Sequence, residues 1–75
     1  MEWTNIAAAD MKEIGFDEEL KQLHIRYNSG AYVIYYEVQD QQYVGLLSSD
    51  DKTAYFENEI KPKFPYRDLT EGESK

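Results

Sequence analysis

The chain has no cysteine, which removes disulfide staples, thiolate metal sites and a cysteine nucleophile together. Proline occurs only twice, and the four glycines are scattered along the chain, so no Gly-rich phosphate loop is present. No stretch approaches the roughly 20 consecutive apolar residues of a membrane span. The opening Met1-Glu2-Trp3 has neither the basic region nor the apolar run of a secretion signal, so a cytoplasmic location with no membrane partner is expected. Cations are scarce: 8 Lys and Arg stand against 15 Asp and Glu, for a net charge of −7. That balance excludes a generically basic nucleic-acid binder. Leu, Ile, Val and Phe together make up only about a fifth of the chain, close to the composition at which chains stay disordered. The deficit is made good by seven Tyr, one Trp and two Met, since each aromatic ring buries roughly 150–250 Å². The 75 residues are enough for one small domain and too few for two.

The order of residues predicts an α+β domain. From Asp10 to Phe16 apolar and polar positions roughly alternate, as in a partly buried strand. Asp17-Glu18-Glu19 is a polar turn. Leu20 to Tyr27 then alternates cleanly, with Leu23, Ile25 and Tyr27 on one side and Gln22, His24 and Arg26 on the other. Asn28-Ser29-Gly30 reads as a hairpin turn. A three-residue loop ending in a left-handed Gly would oppose Ile25 to Val33 and Leu23 to Tyr35. A two-residue loop would shift the register and bury Tyr32, Ile34 and Tyr36 instead. Ala31 to Val38, β-branched and aromatic, is the third strand. At Asp40 the period changes to helical, with Tyr43, Val44, Leu46 and Leu47 on one side. Ser48-Ser49-Asp50-Asp51 offers several N-cap candidates for a second helix whose inner side is Ala54, Tyr55, Phe56 and Ile60. Pro62 ends that helix near Lys61. Residues 61–67 are expected to run extended across the core. The predicted architecture is a three-stranded antiparallel meander followed by two short helices packed on one face, filling residues 1–68. Residues 69–75 are expected to form a disordered acidic tail.

These pieces, in their order, resemble the KTSC domain, a module found at the end of some lysyl-tRNA synthetases and as a stand-alone bacterial or phage protein. The matching residues are Met1-Glu2-Trp3, Ile14-Gly15-Phe16-Asp17, Leu23-His24-Ile25-Arg26-Tyr27 with Ser29-Gly30, Val38, Leu46-Leu47, Tyr55-Phe56, Ile60 and Phe64-Pro65-Tyr66. The chain departs from the family pattern at Ala8-Ala9, where paired Ser is usual, and at Val33, the first position of a Tyr-x-Tyr. It departs again at Gln39, where Pro is common, and at Asp51-Lys52-Thr53, where Ser-x-Gly is common. The resemblance implies that Val33 and Tyr35 face the core, which selects the three-residue loop. It also implies an RNA, and specifically a tRNA, as a ligand to be weighed.

In that register Tyr32, Ile34 and Tyr36 share the opposite sheet face with His24 and Arg26. An apolar stripe of this kind on a small domain marks a contact surface, and Tyr and Arg are the residues enriched at interface hot spots. The competing reading is a different register, or an N-terminal segment with Trp3 that covers this face. Lys61, Lys63, Tyr66 and Arg67 form a basic and aromatic segment of the kind that holds phosphates and stacks bases. Its competing reading is a solvated segment balancing Glu57 and Glu59. The acidic surplus suits a partner with a basic groove, or simple solubility. His24 has no Ser, Asp or second His at a spacing that would make it a catalytic base or metal ligand. Asp50 and Asp51 with Glu57 and Glu59 lack the alternating ligand spacing of a calcium loop. The reading that follows is a non-catalytic module with no cofactor or metal. It binds a protein partner through the outer sheet face as an acidic inhibitor or adaptor; a homodimer on the same face is compatible with it. The alternative is an RNA-binding module using Lys61 to Arg67.

Overall fold

The alternation in the first half of the chain is realised as paired strands. In the computed structural model, which describes residues 1–69, they are β1 (Trp3–Ala8), β2 (Met11–Asp17), β3 (Gln22–Tyr27) and β4 (Tyr32–Tyr36). Two helical segments follow, α1 (Asp40–Ser48) and α2 (Lys52–Tyr55), the latter running on into a π-helical stretch, Phe56–Ile60. A short last strand, β5 (Tyr66–Asp68), completes the order. The predicted tail lies outside the described residues, apart from Leu69.

The sheet is therefore five-stranded, antiparallel, and ordered β1-β2-β3-β4-β5. The expected count of three is corrected at both edges. β1 was hidden because three successive alanines have little β-propensity and only Ile6 of the strand is buried. β5 replaces the extended crossing expected of residues 61–67. The chain turns at Lys61–Phe64 and returns along β4, pairing Val33 with Asp68 and Tyr35 with Tyr66. An edge strand tolerates the preceding Pro65, since a proline has no amide hydrogen to give the ladder. The carbonyl of Pro65 still accepts from the Tyr36 amide at 2.8 Å.

The register of β3 and β4 follows the three-residue loop: Leu23 opposes Tyr35 and Ile25 opposes Val33. Gly30 adopts φ +100°, a conformation in which a Cβ is disfavoured. The inner face of the sheet thus carries Ile6, Ile14, Phe16, Leu23, Ile25, Val33 and Tyr35, all buried beneath the helices. Leu46, Phe56 and Ile60 close the core from the helical side. Phe56 meets Tyr35 edge-on with ring centroids 5.6 Å apart, and Tyr43 stacks on Phe16 at 5.0 Å. Val44, placed inward by periodicity, is exposed instead. α1 is too short to bury more than a narrow stripe, and Leu46 and Tyr43 occupy it. Strand β3 begins at Gln22, with Leu20 left exposed in the turn. There Asp17 accepts from the amides of Glu19 and Leu20 at 3.0 and 3.1 Å, an Asx-type closure. Asp51 caps α2 as expected, accepting from the Ala54 amide at 3.0 Å.

Two backbone positions have measurable consequences. The β1–β2 turn places Ala9 at φ +51° and Asp10 at φ +63°, and a left-handed conformation costs a non-glycine residue about 1–2 kcal/mol. The Ala9 amide donates to Thr53 Oγ1 at 3.1 Å, a bond that any residue's backbone can make. Ala9→Gly therefore raises the thermal midpoint by a few degrees. The gain stays below about 1 kcal/mol because glycine also loses more freedom on folding. Gly45→Ala acts in the opposite direction. A Cβ there would run into the Tyr55 hydroxyl and lie 2.6 Å from its Cζ. Overpacking at about 1–3 kcal/mol outweighs the roughly 1 kcal/mol of helix propensity gained. Chemical denaturation of the two variants against the parent chain checks both signs.

Candidate functional site

Among the described residues, no helix crosses the outer face of the sheet. Strand alternation places Trp3 and Asn5 on it from β1, Glu13 and Gly15 from β2, and Gln22, His24 and Arg26 from β3. β4 adds Tyr32, Ile34 and Tyr36, and β5 adds Arg67, directly opposite Ile34. All five residues named from the sequence as a partner surface are therefore on one face. Tyr32, Ile34 and Tyr36 are each half-buried, with part of each side chain open to solvent.

The side chains at one end of this face hold one another in place. The Arg26 guanidinium lies 4.4 Å from the centre of the Trp3 ring and 5.8 Å from that of Tyr32, within reach of cation–π attraction. Arg26 also donates to Glu13 Oε2 at 2.8 Å. Trp3 packs edge-on to His24 and to Tyr32, at 6.3 and 6.1 Å between ring centres. His24 closes the network, with Nδ1 2.7 Å from the Tyr32 hydroxyl and Nε2 3.1 Å from Gln22 Oε1. The amide oxygen of Gln22 can only accept, so Nε2 carries a proton, while Nδ1 meets the Tyr32 hydroxyl, which can donate to a neutral ring or accept from a charged one. Burial pushes the His24 pKa down, opposed in part by the negative charge of Asp17.

Trp3 is the aromatic member of this face that the sequence reading does not place among the binding residues. It neither covers the whole face nor leaves it bare: it joins the His24, Arg26 and Tyr32 end. The signal was the alternation of Trp3 and Asn5 with Thr4 and Ile6, masked by the alanine run after it.

The basic segment is divided by the fold. Lys63 pairs with Glu59 at 2.9 Å and Lys61 lies 3.8 Å from Glu57. Tyr66 belongs to the inner side, its ring tilted against Tyr35 with centres 5.3 Å apart, while Arg67 is on the outer face. Acidic side chains gather elsewhere, where Glu2, Asp17, Glu18 and Glu19 surround a groove of about 650 Å³ floored by Phe16 and Tyr43. Among the described residues, no three His, Asp or Glu side chains come together to hold a metal ion. Nor is any helix long and apolar enough to cross a membrane.

A family model for the KTSC domain matches residues 8–64. The chain belongs to the KTSC family. The crystal structure of a KTSC domain protein from Yersinia pestis superposes on it with a TM-score of 0.82 at 22% identity, covering 91% of this chain and 96% of that one. At that identity the likeness is one of fold. No curated protein matches the chain. The KTSC match takes in β2 to the end of the helical layer. Trp3, Tyr66 and Arg67 lie outside the matched residues.

Acid should loosen the outer face of this KTSC domain. A histidine whose folded pKa is depressed contributes stability that is complete above its unfolded value of about 6.5 and is lost as pH falls through the folded value. His24 is the sole histidine, so its ring resonances report this directly by NMR, with a midpoint below 6.5. His24→Gln removes that midpoint and flattens the part of the stability profile just below 6.5. A midpoint at or above 6.5 would show that burial is not what sets the charge of the ring.

Proposed function

We propose that this KTSC domain is a non-catalytic protein-interaction module that engages a protein partner through its outer sheet face. The observation that carries the reading is a sheet face without a helical cover among the described residues. On it Ile34 and Tyr36 stay accessible beside a locked cluster of Trp3, His24, Arg26 and Tyr32. Side chains already held in place lose little freedom when a partner arrives, which is where rigid aromatic and Arg anchors gain their affinity. Tyr and Trp also suit a surface that is wet when free and dry when bound, because each has an apolar body and a polar tip. The carboxylates around the Phe16–Tyr43 groove would steer a basic partner toward the domain and raise its rate of arrival. A soluble cytoplasmic inhibitor or adaptor fits these features, and neither role requires a catalytic group.

The RNA reading has less support. Two of its four residues, Lys61 and Lys63, face glutamates, and Tyr66 and Arg67 point to opposite sides of the sheet. A ligand with a phosphate backbone would also meet the surplus of 15 acidic over 8 basic residues.

The test is a tagged pull-down with and without RNase, comparing the parent chain with an Ile34→Ser, Tyr36→Ser variant and with a Lys61→Gln, Lys63→Gln variant. A stoichiometric protein is expected to survive RNase. The outer-face variant should lose it, with an affinity reduced at least about tenfold, while its unfolding transition stays cooperative. The lysine variant should retain it. Recovery of RNA, with protein bands lost after RNase and after the lysine substitutions, would overturn the reading. Sedimentation velocity of the isolated chain identifies a second copy as the occupant if the outer-face variant alone turns a dimer into a monomer.

A further inference from the structure

The strand order β1-β2-β3-β4-β5 leaves the sheet with two edges, and they are built differently. β5 is short, carries Arg67 and Asp68, and follows Pro65. Shortness, charge and proline are ordinary means by which an edge is kept from pairing with a foreign strand. β1 is longer, Trp3–Ala8, with neither a charged side chain nor a proline in it. It packs chiefly against β2. Among the described residues, no backbone group of a helix or loop bonds to residues 3–8. The tether from the Ala9 amide to Thr53 Oγ1 lies just past the end of the strand.

A β-bulge is the one guard on this edge, and it also shapes it. Asn5 pairs with Glu13 and Ala8 with Met11, so Ile6 and Ala7 together stand opposite Lys12. A bulge disrupts the ladder locally, leaves its extra residue unpaired and re-aims the side chains beside it. At this point a groove of about 370 Å³ opens, lined by Asn5, Ile6, Ala7, Met11, Lys12 and Asn28. Ile6 and Met11 belong to the hydrophobic core, whereas Ala7 is exposed. The bulge therefore brings apolar core surface out to the open side of β1.

We infer that β1 accepts an added strand: an extended segment of a partner protein that places one large apolar side chain in this groove. The backbone sets the class of occupant. The N–H and C=O groups along a strand edge are matched by another extended backbone, whose ladder bonds supply affinity while a pocket for its side chains supplies specificity. The groove and the charge then separate a foreign segment from a second copy of this chain. A copy paired antiparallel through β1 would offer the groove Ala7, Ala8 and Ala9, none of them large enough to fill it. It would also bring Glu2 of each chain toward the Ala9-Asp10 turn of the other, between molecules that each carry a net charge of −7. This inference does not depend on what binds the outer sheet face.

The experiment is a titration of the ¹⁵N-labelled full chain, followed by NMR, with the peptide acetyl-Lys-Thr-Val-Thr-Phe-Thr-Lys-amide. The same peptide with every central amide N-methylated, and one with Ala in place of Phe, serve as comparisons of equal charge. Saturable shifts are expected at Thr4 to Ala8, Met11, Lys12 and Asn28, with slowed hydrogen exchange of β1 amides. The N-methylated peptide should not bind, and loss of the Phe ring should weaken binding at least about tenfold. Ala7→Lys, at an exposed position, sets a charge on the edge and should weaken the parent peptide about tenfold while the unfolding transition stays cooperative. The Ile34→Ser, Tyr36→Ser variant should bind the peptide as the parent chain does, which separates this result from the fate of the outer-face reading. Equal binding of the N-methylated peptide, shifts confined to Ile34 and Tyr36, or no saturation at millimolar peptide would each overturn the assignment. So would a dimer in sedimentation velocity that Ala7→Lys dissociates, because a second copy would then be the occupant.

Discussion

The hairpin turn Asn28-Ser29-Gly30 fixes everything that follows it in this fold. Gly30, at φ +100°, lets the turn close through bonds from its own amide to the Tyr27 carbonyl at 3.0 Å and from the Tyr27 amide to the Ala31 carbonyl at 2.9 Å. One residue fewer would reverse the parity of β4. Tyr32, Ile34 and Tyr36 would then enter the core, while Val33 and Tyr35 would go outside. Phe56 would lose the ring it meets edge-on, and β5 would pair with the wrong side of its neighbour. The candidate site and the core both rest on this one choice. The outer face exists because Tyr32 and Ile34 are turned away from the helices. The core closes because Val33 and Tyr35 are turned toward them.

The central part of the molecule was legible because it obeys a single rule. Leu23, Ile25, Val33 and Tyr35 alternate with polar neighbours, and alternation has one structural meaning when one face is buried and the other open. The helical layer was legible for a similar reason, with the Asp51 cap and Pro62 as boundaries. The edges were not. β1 has a single buried residue, Ile6, and β5 is three exposed residues long, so neither leaves a hydrophobic period to read. Both are held by pairing with a neighbour, a long-range property invisible to local pattern. Val44 failed for a different cause: a nine-residue helix spans the sequence period of a wide apolar stripe but has contact only along a narrow one.

The same distinction separates the two halves of the candidate chemistry. Tyr32, Ile34, Tyr36, His24 and Arg26 were brought together because all five lie on the well-patterned strands. Lys61, Lys63, Tyr66 and Arg67 are close in sequence and yet diverge, because a turn and an edge strand intervene. In β5 adjacent residues must point to opposite faces, so Tyr66 and Arg67 could not have shared a ligand surface once that segment became a strand. What Tyr66 meets instead is a neighbour distant in sequence, Tyr35. Proximity along the chain is a poor guide wherever the backbone is extended.

The outer face and the open edge of β1 are different surfaces, which raises the question of whether they communicate. Coupling between sites requires an element with two arrangements whose balance both ligands shift. β2 and β3, which join them, have no second arrangement of this kind, since a register slip would exchange their buried and exposed residues wholesale. Each is paired with its neighbours through several consecutive residues. Nor is the outer cluster a movable part: Arg26, His24 and Tyr32 have their polar atoms engaged by Glu13, Gln22 and one another. A partner that reached both surfaces would therefore gain from the summed contacts and from their fixed separation, without one site altering the intrinsic affinity of the other. A small domain with a rigid sheet and a net charge of −7 is better suited to presenting two fixed surfaces than to switching between shapes.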